Sequence, residues 1–172
     1  MNDRVTAPRI AVVGSLNMDL VLQVEHAPQG GETVLAQSLR LVPGGKGGNQ
    51  AVACARLGAQ VSLFGRLGDD DNGRALRAAL DADGIDHGGV LTDPAEPTGV
   101  AAITVESTGQ NRIVVVPGAN GRFTLDSGLL QAALHGAGGL VLQFECPLAE
   151  VLAAAHQARA AACPVRLNPS PI

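Results

Sequence analysis

Four short apolar runs set the tightest limit on how this chain can fold. Residues 10–13 stop at Gly14, residues 61–64 at Gly65, residues 140–142 near Gln143 and residues 165–167 at Asn168. Near-continuous apolar character, interrupted here only by Ser62 and Arg166, marks strands buried on both faces, the condition of a parallel sheet covered by helices. Helical stretches fill the gaps. Residues 49–57 are closed by Gly58, residues 73–83 by Gly84, and residues 148–162 lie between Pro147 and Pro164. Strand and helix therefore alternate as in βαβ units, and the fold class is α/β with a parallel sheet flanked by helices.

Two stretches break this rhythm. Residues 20–41 and 98–116 carry alternating and β-branched residues, which predicts added antiparallel strands forming a small β lid; residues 107–111 supply a hairpin loop. At the other end, the strand at 165–167 is followed by Pro169-Ser170-Pro171 where an α/β chain ordinarily turns off a strand and continues. About four core strands are then expected. Residues 1–172 read as the amino-terminal part of one domain whose sheet is incomplete, with an open edge at its last strand.

Composition removes several function classes. Only 16% of the 172 residues are charged and the net charge is −4, so no basic face exists for a nucleic-acid backbone. Three phenylalanines are the only aromatic residues, which leaves no stacking platform, and a polar ligand must be held by hydrogen bonds. Cys54, Cys146 and Cys163 are odd in number and far apart, as expected of reduced, packed thiols. The first nine residues have no apolar core of a signal peptide, and Glu150, His156 and Arg159 interrupt the most apolar stretch. A soluble, cytoplasmic protein without membrane contact is expected.

The strongest chemical signal is Pro43-Gly44-Gly45-Lys46-Gly47-Gly48-Asn49-Gln50-Ala51, a glycine-rich turn that runs into a helix. Its glycines let backbone amides approach a ligand, and the helix start leaves donors free for a phosphate or a polyol. It is not a Walker A loop, because Gly47 follows Lys46 and Arg40 stands where the first glycine is needed; Gln50 likewise breaks the dinucleotide fingerprint. Asn17 and Asp19 follow the first strand, at the carboxyl end where open α/β sheets place ligands. They suit vicinal hydroxyls, or else an Asx turn that only caps local backbone. Glu145, in a loop after the third run, is either a ligand contact or an acid favoured at the start of the following helix. Asp69-Asp70-Asp71 reads as a capping cluster, the four histidines lack ligand spacing, and Ser15 lacks a nucleophile elbow.

In order, Val13-Gly14-Ser15-Leu16-Asn17-Met18-Asp19, Gly31-Glu32-Thr33, the glycine-lysine segment, Gly68-Asp69-Asp70, Pro97-Thr98-Gly99-Val100-Ala101, Gly118-Ala119-Asn120 and Leu167-Asn168-Pro169-Ser170-Pro171 resemble the amino-terminal half of the ribokinases, within the phosphofructokinase-B-type family of carbohydrate kinases. Gly47-Gly48-Asn49 stands where the family usually has Gly-Ala-Asn. The resemblance implies a ribokinase-like, Rossmann-type fold and ATP-dependent phosphorylation of D-ribose at its 5-hydroxyl. It places Asn17, Met18, Asp19, Gly44, Gly45, Lys46, Gly47, Gly48, Asn49 and Glu145 at the sugar, and implies a homodimer through the lid. The family's Asp-Thr-x-Gly-Ala-Gly-Asp segment, with the anion hole and catalytic aspartate, does not occur here. Nor do the residues implied for ATP, Mg2+ and K+, so this chain is expected to carry the sugar-binding half and to be inactive alone. The alternative is a non-catalytic sugar-binding or dimerisation remnant of such a kinase.

Overall fold

The computed structural model describes residues 7–171. Its core sheet joins β1 (Arg9–Val13), β4 (Gln60–Gly68), β5 (Asp86–Asp93), β8 (Gly139–Leu142) and β9 (Val165–Leu167). The order is β5-β4-β1-β8-β9, and every pairing is parallel. Side chains alternate across β1: Ala11 and Val13 meet one apolar cluster and Val12 the other. The Val12 side packs under α1 (Lys46–Arg56) and α2 (Asp71–Ala82) through Ala51, Leu76 and Leu80. The opposite side packs under α3 (Ser127–Leu134) and α4 (Leu148–Ala160) through Leu130, Leu134, Val151 and Ala154. Buried Cys146 and Cys163 and half-buried Cys54 are free thiols. Burial pushes the Cys146 thiol up to about 12, with the Glu145 charge adding to it, so it stays protonated and unreactive at neutral pH.

The sheet has five strands where about four are expected from the sequence. The added one is β5, whose Asp-His-Gly-Gly-Val-Leu-Thr-Asp sequence has the polar, glycine-containing character of an edge strand. At the other edge β9 pairs only with β8 and leaves Leu167 48% exposed. Among the described residues, no helix is long and apolar enough to cross a membrane.

The second sheet is the lid: β2 (Asn17–Val24), β3 (Ser38–Gly44), β6 (Gly99–Glu106) and β7 (Asn111–Val116), in the order β3-β2-β6-β7. It is not wholly antiparallel as expected, because β2 and β6 pair in parallel. The cause is connectivity. β2 leaves the core after β1 and β6 after β5, both from the carboxyl edge of a parallel sheet, so both set out in the same direction. A third strand, β3, returns the chain to α1, and β7 returns it to a 3-10 turn at Gly118–Arg122.

Asp70 fastens the base of the lid to the core. Its carboxylate caps α2 by accepting from the Gly73 amide at 2.7 Å, and also accepts from the Thr98 amide at 2.7 Å and the Thr98 hydroxyl at 2.6 Å. The aspartate cluster is thus a cap, as its sequence indicates, and a lid anchor as well.

Candidate functional site

The site forms where the carboxyl ends of β1 and β8 meet the start of α1. Ser15, directly after β1, donates its hydroxyl to Glu145 Oε2 at 2.5 Å, and its own Oγ accepts from the Gly47 amide at 3.4 Å. The Lys46 amide donates to the same Glu145 oxygen at 3.2 Å, while Lys46 Nζ pairs with Glu145 Oε1 at 3.2 Å. Glu145 therefore does serve a helix start, but that helix is α1 and not α4, which its sequence position suggests. The α4 N-terminus begins after Pro147 and takes no side-chain cap. A carboxylate here satisfies donors that the first turn of a helix leaves free, with help from the helix dipole.

Glycine is required here by close approach. Gly45 has φ +84°, and a Cβ there would lie 2.7 Å from the Ser15 carbonyl oxygen; one on Gly47 would lie 2.5 Å from the Gly14 carbonyl carbon. Backbone contact this close explains why α1 starts at Lys46, three residues before the expected Asn49, with two glycines in its first turn. A Cβ on Gly44 would overlap the Asp19 carboxylate, so Gly44 gives Asp19 its room.

Asn17 and Asp19, which follow β1 as expected, lie within β2, which begins three residues before the lid stretch expected from Leu20. The period of two puts them on one face and Met18 on the other. Met18 is accordingly buried in the apolar cluster with Val12, Leu16 and Leu67, away from the polar groups. Burial raises the Asp19 carboxyl above the ordinary aspartate value; the nearby Glu145 charge raises it further, and the Lys46 ammonium pulls it back. Asn17 is 3% exposed and its Oδ1 accepts from Asn120 Nδ2 at 2.8 Å. Gly48 is buried against Leu16, whereas Asn49 is exposed on α1, one turn beyond Lys46.

A cleft of about 230 Å³ adjoins these groups, with Ser15, Asn17, Asn120 and Glu145 as its polar lining and Val115, Pro117, Phe144 and Pro171 as its apolar lining. Sequence reasoning missed Ser15, Asn120 and Phe144. The Gly118-Ala119-Asn120 segment was the available signal for one of them. Gln143, at the end of β8, is also buried there; its Nε2 donates to Gln50 Oε1, and it packs against Gly14.

These groups can pair with hydroxyls. Two carboxylates accept hydroxyl protons, and an ammonium and an amide donate to hydroxyl oxygens. The local charge does not favour a polyphosphate, because Asp19 and Glu145 both lie near Lys46, which is already paired with Glu145. Among the described residues, no group of three or more His, Cys, Asp or Glu side chains is arranged to hold a metal ion.

Comparison with known proteins agrees with this geometry. The profile of the pfkB family carbohydrate kinases matches residues 7–172. Ribokinase of Bacillus subtilis is 42% identical over 168 residues, covering 94% of this chain and 55% of the relative. Ribokinase of Haemophilus influenzae is 37% identical over 163 residues, covering 94% and 53%. The structure of Arabidopsis thaliana ribokinase complexed with ribose and ATP superposes with a TM-score of 0.84 at 35% identity, covering 97% of this chain and 55% of that one. This chain thus spans about half the length of the curated relatives it matches. With the doubly covered parallel sheet and the lid in place, the chain belongs to the pfkB family of carbohydrate kinases, among those of ribokinase type.

Proposed function

We propose that this chain is the sugar-binding half of a ribokinase-type enzyme that transfers the γ-phosphoryl group of ATP to the 5-hydroxyl of D-ribose in the cytoplasm. The observation that carries the reading is the Asp19, Lys46 and Glu145 cluster, which reaches the cleft through Glu145. Asn17, Asp19, Gly45, Lys46, Asn49 and Glu145 hold the sugar hydroxyls, and the inner lid face with Val115 keeps water from them. Buried Met18, Gly44, Gly47 and Gly48 shape the site by packing and close approach, not through side-chain hydrogen bonds. ATP, Mg2+ and K+ are the cofactors of the complete enzyme in this reading. The chain alone binds sugar without turnover. A second reading, a non-catalytic sugar-binding or dimerisation module, rests on the same cluster and on the half-length match.

Calorimetric titration of ribose into the purified chain, with ATP, magnesium and potassium present, tests this. A saturable heat lost in Asp19→Ala is the expected result. Equal heats in both chains sink the sugar site, and sustained ribose-dependent turnover sinks the claim that this half is inactive alone. Binding also weakens as pH falls through the raised Asp19 value, since a protonated carboxyl accepts hydroxyl protons poorly.

The lid's outer face supports a homodimer. Residues in register across a ladder share a face, which groups Leu20, Leu41, Ala102 and Val114, with Leu22 and Leu39 beside them. Leu39, Leu41 and Val114 are 57%, 61% and 69% exposed, an apolar patch of the kind that marks an interface. Leu41→Lys with Val114→Lys is expected to convert a sedimenting dimer to monomer; an unchanged sedimentation coefficient refutes the lid interface.

A further inference from the structure

The Gly118-Ala119-Asn120 segment ends in a side chain that is 1% exposed and fully bonded. Asn120 Oδ1 accepts from the Leu16 amide at 2.9 Å. Its Nδ2 donates to the Leu16 carbonyl at 3.0 Å and to the Pro117 carbonyl at 3.1 Å. Backbone N–H and C=O groups cannot exchange roles, so these three contacts permit one orientation of the Asn120 amide. The remaining contact of Nδ2 is with the Asn17 side chain at 2.8 Å. Its two N–H groups serve three acceptors, so one is shared; and because an amide nitrogen cannot accept, Asn17 must face it with its oxygen.

We infer that Asn120 is a positioning residue that locks Asn17 with its Oδ1 turned inward, leaving Asn17 Nδ2 as a hydrogen-bond donor to the cleft. Gly99 makes this possible. It stands beside Asn17 in the β2–β6 ladder, and a Cβ there would overlap both the Asn17 Oδ1 and the Asn120 Nδ2. The cleft then reads a ligand with two opposed demands. Asn17 requires a lone pair, whereas the carboxylate of Glu145, which also lines the cleft, requires a proton. A hydroxyl satisfies either; an ammonium substituent facing Asn17 does not. This specificity step rests on the sugar-binding reading, while the amide orientation does not depend on it.

The test uses Asn120→Asp in the 172-residue chain. Aspartate keeps an acceptor for the Leu16 amide but turns an oxygen toward Asn17, whose amide must then rotate to donate inward. Solvent exchange of side-chain amide protons, followed by NMR without ligand, reads this directly. In the parent chain the Asn120 NH2 is expected to be protected and the Asn17 NH2 to exchange; in Asn120→Asp the Asn17 NH2 becomes protected. An Asn17 NH2 protected in the parent, or unaltered by the substitution, overturns the inference, and a merely structural role for Asn120 does not produce that switch. Should Asn120→Asp fail to fold, Asn17→Asp decides: it keeps an acceptor for Asn120 and so is expected to keep its thermal midpoint while losing ribose affinity at least tenfold. A large loss of midpoint in Asn17→Asp overturns the orientation, and unchanged affinity overturns its part in specificity. If the parent chain gives no ribose heat, the sugar reading fails and the exchange experiment still judges the orientation.

Discussion

Glu145→Ala is expected to abolish ribose binding and to lower unfolding stability by about 2 kcal/mol. One carboxylate answers the Ser15 hydroxyl, the Lys46 amide and the Lys46 ammonium. Truncation leaves all three without their acceptor at a helix start. A fully buried pair would cost more, but Lys46 is 32% exposed and water can solvate its ammonium once Glu145 has gone. Glu145→Gln separates charge from shape: the amide oxygen still accepts one of the three donors, so stability should recover in part while binding stays weak. Urea midpoints together with calorimetric titration give both quantities. A Glu145→Ala chain that binds ribose normally removes Glu145 from the site.

Asp70→Ala is the second large effect, with an expected loss of about 3 kcal/mol and a loosened lid. A lost helix cap costs roughly 1 kcal/mol and an unanswered, mostly buried amide such as that of Thr98 about 1–3 kcal/mol more. The wild-type chain also carries a pH signature of this anchor. Burial pushes the Asp70 carboxyl up, but hydrogen bonds from the Thr98 hydroxyl, the Thr98 amide and the Gly73 amide, with the Arg74 charge, more than offset this and hold it below its ordinary value. Asp93 is lowered too, first by the Glu96 and Ala95 amides, then by Arg66 and Arg122, against an opposing effect of burial. A carboxylate lowered in the folded state stabilises above its unfolded value of 3.8 and loses that contribution as pH falls through the folded value. Stability should therefore drop steeply below about pH 4, and Asp70→Ala should flatten part of that slope. Denaturant midpoints measured from pH 7 to pH 3 check this; parallel curves for the two chains refute it.

The core was legible because a strand covered on both faces is largely apolar, and four of the five core strands carry a short, mostly apolar run, broken in β4 by Ser62 and in β9 by Arg166. β5 escaped because Gly88 and Gly89 and four polar or charged neighbours give it no such run. Asn17 and Asp19 were recognisable as polar groups at a sheet edge, but their strand was not, since a strand lining a cleft presents polar residues where a core strand presents valines. Reading residues 17–24 with a period of two would have assigned Met18 to the core. The helix that Glu145 serves could not be read from spacing, because the contact joins residues 99 positions apart and the adjacent helix was the natural guess. Asn120 was visible only as part of a familiar triplet; its bonds to Leu16 and Asn17 depend on the return of β7 to the core.

The parallel pairing at the centre of the lid also bears on how the molecule assembles. β2 with β3 and β6 with β7 are local hairpins that can form within microseconds of collapse. Their union joins Asn17 to Gly99, and a pairing so distant along the chain carries a loop-closure entropy that only prior docking of β1, β4 and β5 reduces. The two hairpins should meet late, after the core has brought their roots together. The central lid ladder is then the last part of the binding apparatus to acquire hydrogen-exchange protection during refolding, and sugar recognition emerges only with that final step.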